Sequence, residues 1–118
     1  MDNGVIRRFE SGATRDTAEG KLDFEGFLSP LVLQAFAEYM HRNRKMADGS
    51  LRSSDNWQKG IPVATYVKSL WRHFFAAWAW HRDERTNYSD ADAQIENLCG
   101  VLFNAQGALH EILKMRDA

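Results

Sequence analysis

The stretch PVATYVKSLWRHFFAAWAWH, residues 62–81, decides the fold. Pro62 suits the first turn of a helix, because its fixed φ is already helical and its missing N–H is one the helix cannot use there. No glycine or second proline interrupts the residues that follow, so the spacing predicts a helix to about His81. Its apolar side chains are not confined to one stripe. Val63, Tyr66, Val67, Leu70, Phe74 and Ala77 form a centre, Trp71, Phe75 and Trp78 widen it on one side, and Trp80 widens it on the other. An apolar arc of roughly 200° is too wide for a helix packed on one neighbour. The helix is therefore expected to be central in a bundle or to share a subunit interface. Lys68, Ser69, Arg72, Ala76 and Ala79 form the narrow remainder, with His73 at its edge.

Upstream, Ser29 and Pro30 read as N-cap and first turn of a helix to about Lys45, with Val32, Leu33, Phe36, Ala37 and Met40 on one face. Residues 46–61 read as a long polar loop with Gly49, the Asp55–Asn56 pair and Gly60 as turn residues. Downstream, 82–90 is a charged connector in which Ser89 and Asp92 resemble a capping box. A last helix is expected from about Ala91 to Lys114. Ile95, Leu98, Val101, Leu102, Ala105, Leu109, Ile112 and Leu113 give it a core face, bordered by Asp92, Glu96, Cys99, Phe103 and His110. Residues 1–29 carry Gly4, Gly12, Gly20 and Gly26 and read as an ordered arm of the same domain, with Phe9, Phe24, Phe27 and Leu28 to bury. With no strand-like alternation, the expectation is an all-α bundle of three to four helices over 30–118, forming a homo-oligomer.

The chain has 118 residues, 44% hydrophobic and 26% charged, with fifteen basic and sixteen acidic side chains and a formal charge of -1. That balance supplies no basic field for a nucleic-acid polymer. No apolar run is long enough for a membrane span, and the charged first ten residues do not read as a signal peptide, so the expected location is cytoplasmic. The single cysteine lies in an apolar run, offers no disulfide or CxxC pair, and is expected to be packed.

Glu38 and His41 share one side of the first long helix, and Asp92 and Glu96 share a face of the last. Carboxylates from two facing helices suit Mg²⁺, a hard cation that takes oxygen ligands. The same side chains read equally as solvated helix charges, with Asp92 serving the cap. Arg72 and His73 fit phosphate binding and water positioning, or a carboxylate partner and a half-buried histidine. Trp57, set among Asn56, Gln58 and Lys59, either folds back on the core or stacks on a flat ligand. Arg15 and Lys21 lie in a glycine-punctuated stretch that could wrap a phosphate, although the P-loop pattern is absent. No GxSxG, HExxH or GxGxxG pattern occurs.

The segments SGATRDTAEGKLDFEGFLSP (11–30), SDNWQKGIP (54–62), SLWRHF (69–74) and ENLCGVLFNAQGALHE (96–111) resemble, in order, the phage-associated dATP/dGTP diphosphohydrolase N-terminal-type domain, related to the MazG-like all-α nucleoside triphosphate pyrophosphohydrolases. The resemblance implies a Mg²⁺- or Mn²⁺-dependent hydrolase that cleaves purine dNTPs to monophosphate and pyrophosphate, assembled as a homodimer or homotetramer. It implies Glu38, His41, Asp92 and Glu96 at the metal. Arg15, Lys21, Asn56, Trp57 and Lys59 would hold substrate, and Arg72 and His73 would be catalytic. The superfamily's ExxE and ExxD pattern is missing: His41 follows Glu38, and Asp92 and Glu96 are four apart. A non-catalytic helical protein that binds a nucleotide or a host protein is the alternative.

Overall fold

A computed structural model describes residues 6–17, 19–84 and 90–118. Its contacts divide the chain into two compact units, Met1–Pro30 and Leu31–Ala118.

The first unit holds a short antiparallel pair, β1 (Ile6–Arg8) and β2 (Thr14–Asp16), with Arg7 opposite Arg15. Phe9 N–H donates to Ala13 O at 3.0 Å, and Gly12, at φ 89°, supplies the left-handed residue that closes the turn. Three-residue strands are too short to show alternation, which is why the sequence reads as an ordered arm without strands. Next comes α1 (Phe24–Phe27), whose first turn is capped by Asp23 Oδ1 accepting from Gly26 N–H at 2.9 Å. The expectation that this arm buries its rings is corrected: Phe9, Phe24, Phe27 and Leu28 are all exposed, Phe27 at 78%.

The second unit is helical. Helix α2 (Pro30–Arg42) ends three residues before the expected Lys45. The chain then turns back on itself, with Lys45 bridged to Leu51, Met46 N–H on Ser50 O at 2.8 Å, and Gly49 at φ 87°. Residues 46–61 form the loop the sequence predicts, with Gly49 and Gly60 (φ 115°) as turn residues, and add a 3₁₀ turn at Asn56–Lys59. Helices α3 (Val63–Glu84) and α4 (Ala91–Asp117) pack as an antiparallel hairpin. Asp90 caps α4 through Oδ1, accepting from Ala93 N–H at 3.3 Å. The cap is thus not the expected Ser89, which lies outside the described residues.

The hairpin seam sets Tyr66 against Gly107 and, seven residues along each helix, His73 against Gly100; Ala77 O then accepts from Gln94 Nε2, and Asp90 O from Trp80 Nε1. Tyr66, Ala77, Cys99 and Asn104 are its buried side chains. The burial of Cys99 agrees with the sequence reading. The expected core face of α4 does not. Ile95, Leu98, Leu102, Leu109, Ile112 and Leu113 point away from α3 and are 37–57% exposed. Glycines on the opposite face let the two backbones approach, and close approach there outcompetes the aliphatic stripe. On α3, Val67, Trp71, Phe74, Phe75 and Trp78 likewise form an outward stripe, 41–66% exposed. Among the described residues no helix is long and apolar enough to cross a membrane.

Candidate functional site

A cavity of about 760 Å³ opens in the second unit between the C-terminal half of α2, residues 43–61, and the α3–α4 hairpin. Pockets of about 300–1,000 Å³ hold small-molecule ligands. The wall includes both aromatic and cationic groups. Phe36, Tyr39, Trp57 and Phe103 provide rings, and His41, His73, Arg44 and Arg52 provide groups that carry or accept positive charge. Ser69 and Asn104 add neutral hydrogen-bonding groups at the hairpin end. Among the described residues no carboxylate lines it.

Several wall residues are held by specific contacts. Trp57, in the 3₁₀ turn, meets the His110 ring of α4 edge to face at 4.8 Å between centroids. Of the two readings of Trp57, the fold-back is observed, with the ring against α4, and the ring also lines the cavity. His73 is fixed by its rest on Gly100. Buried Asn104 donates through Nδ2 to Gly100 O at 2.8 Å, which fixes the amide plane. Arg44 Nε donates to His41 O at 3.4 Å, and its Nη2 lies 3.2 Å from His41 Nδ1.

Of the residues singled out in the sequence, His41, Asn56, Trp57 and His73 meet at this cavity. The others do not. Arg72 is exposed on α3 away from the cavity wall, Lys59 is exposed at the end of the 3₁₀ turn, and Arg15 and Lys21 belong to the first unit. Glu38 is exposed and accepts from Gln34 Nε2 at 3.2 Å, while Asp92 is exposed in the first turn of α4. Glu96 is taken by Arg42, whose Nη2 donates to Glu96 Oε1 between α2 and α4. Among the described residues no three His, Cys, Asp or Glu side chains converge on one point. The expected ligands Glu38, His41, Asp92 and Glu96 are thus placed apart, and the cation against Glu96 is a guanidinium.

Glu96 also shapes its neighbours. Burial raises the Tyr39 hydroxyl pKa, and the charges of Glu96 and Cys99 raise it further, against a smaller opposing effect of Arg42. The Cys99 thiol is raised for the same first reason, then by Glu96.

Arg44, Arg52, Tyr39 and Asn104 were not singled out from the sequence. A signal for the arginines was present. Asp48–Gly49 is a turn pair, and Arg44 and Arg52 stand equally far on either side of Asp48. Compared with family models, curated proteins and solved structures, the chain has no significant match.

Proposed function

We propose that the chain binds a purine nucleoside triphosphate in the cavity between α2 and the α3–α4 hairpin. One observation carries this reading: four aromatic rings and two guanidinium groups share a cavity of nucleotide size that no described carboxylate lines. A flat base gains from stacking on Trp57 or Phe103, and Asn104 and Ser69 offer polar edges to read it. A polyanion gains from Arg44 and Arg52. Calorimetry with each of the four dNTPs, in EDTA and in Mg²⁺, tests it. Saturable binding of dATP or dGTP, weakened by Trp57→Ala, is the expected result, and no heat with any nucleotide overturns it.

The second reading is Mg²⁺-dependent hydrolysis of dATP or dGTP to monophosphate and pyrophosphate. It draws on position alone: α2 and α4 come together where Arg42 meets Glu96, one turn from Glu38, although Glu96 is held there by Arg42. In this reading Glu38 and Glu96, the latter free of Arg42, would hold a Mg²⁺ ion that would neutralise charge on the phosphates, with His73 at the cavity wall and Arg72 outside it. Pyrophosphate release that needs Mg²⁺ and disappears in Glu96→Gln supports this reading. A protein that binds dNTPs without turnover leaves only the first.

The assembly proposed is a homo-oligomer. Trp71, Phe74, Phe75 and Trp78, half to two-thirds exposed, present roughly 400–500 Å² of ring surface. The outward α4 face, with six aliphatic residues 37–57% exposed, is a second apolar surface for such contacts.

A further inference from the structure

Arg44 and Arg52 stand opposite one another. The Lys45–Leu51 bridge sets the register, and Arg52 N–H donates to Arg44 O at 2.9 Å. Directly opposite residues of an antiparallel pair project to the same side, and like charges placed so repel. The turn that imposes this is tightly made: Asp48 Oδ1 accepts from Ser50 N–H at 2.9 Å and from Ser50 Oγ at 2.6 Å. Both arginines line the cavity, and among the described residues neither has a carboxylate partner. Their hydrogen bonds go to neutral groups, Arg44 to His41 and Arg52 Nη1 to Asn43 O at 3.4 Å. The remaining donors of two forked guanidinium groups are available to an anion.

We propose that Arg44 and Arg52 form a phosphate-binding pair that takes the polyphosphate end of the ligand directly, without a divalent cation. The proposal rests on the nucleotide reading for what the polyphosphate is attached to. Two facts place the charge balance on arginine. The acid best placed to recruit a metal, Glu96, is already neutralised by Arg42. The cavity wall has no described carboxylate through which a metal could join protein to phosphate.

The test is titration of the full chain with inorganic tripolyphosphate in EDTA, followed by calorimetry, beside the same titration with dGTP. Tripolyphosphate is expected to bind, and R44Q and R52Q each to weaken it about tenfold or more, as loss of one charged partner does. Arg116→Gln, exposed at the end of α4, is expected to leave the affinity unchanged. Arg52 is exposed, so R52Q is expected to keep the wild-type circular dichroism and thermal midpoint even where R44Q does not. Absence of tripolyphosphate binding, binding that appears only with Mg²⁺, or binding indifferent to R52Q overturns the proposal. If dGTP binds no tighter than tripolyphosphate while both depend on Arg52, the arginine pair stands and the nucleotide reading falls.

Discussion

The His73 imidazole rests on Gly100 of α4 so closely that a methyl group at residue 100 would overlap the ring. Seven residues further along α4, Gly107 stands in the same relation to Tyr66. These two contacts set the distance between α3 and α4 and hold His73 against the wall of the cavity.

Gly100→Ala sets two effects against each other. Alanine is better than glycine inside a helix by about 1 kcal/mol, and forcing extra volume into a packed seam costs about 1–3 kcal/mol. Because the overlap is with a ring seated in the seam, the clash is expected to win. Urea denaturation should show a net loss on the order of 1 kcal/mol, with weaker dGTP binding as His73 is displaced. An unchanged midpoint together with unchanged affinity would show that the hairpin opens freely there.

Tyr66 is 1% exposed, and its hydroxyl has no hydrogen-bond partner among the described residues. Burial raises its pKa, and the charge of Glu111 adds to that. An unpartnered buried hydroxyl gives nothing back for its lost hydration. Tyr66→Phe is therefore expected to be neutral or stabilising by up to about 1 kcal/mol. Destabilisation beyond that, by the same denaturation, would mean that the hydroxyl has a partner in solution.

Alkaline pH should destabilise the fold. Cys99, Tyr39 and Tyr66 all have raised folded-state pKa values, with burial the first cause in each. The unfolded chain loses these protons at lower pH than the folded one does, so rising pH favours unfolding. Stability is expected to be full below the ordinary thiol value of 9.0 and to decline above it. At pH 8 the Cys99 thiol should react with a disulfide reagent far more slowly than free cysteine, and at the ordinary rate in guanidinium. Rapid reaction in the native protein would contradict the burial of Cys99.

The outward face of α4 should hold copies together. Light scattering at high micromolar concentration is expected to give a mass above the 13.5 kDa of one chain. Leu102→Asp, at a position 41% exposed in the single chain, should bring the mass down to that value without loss of helical circular dichroism. A wild-type monomer at that concentration would overturn this assignment.

By itself the sequence determined where the long helices are. Pro30 and Pro62 fix two starts, uninterrupted apolar periodicity carries α3 and α4, and both signals act within a few residues. It also marked Trp57, His41 and His73, because a ring in a polar loop and a histidine at a stripe's edge are visible locally. Only the tertiary structure decided which stripe faces which neighbour. Helical periodicity gives the apolar face of α4 but not its direction, and the fit of His73 and Tyr66 onto Gly100 and Gly107 turned that face outward. The same holds for charge. Arg42 and Glu96 lie fifty-four residues apart and pair across two helices, and Arg44 and Arg52 meet only because a turn at Asp48–Gly49 folds one onto the other. Such pairings depend on distances between segments, which sequence spacing along a single helix does not encode.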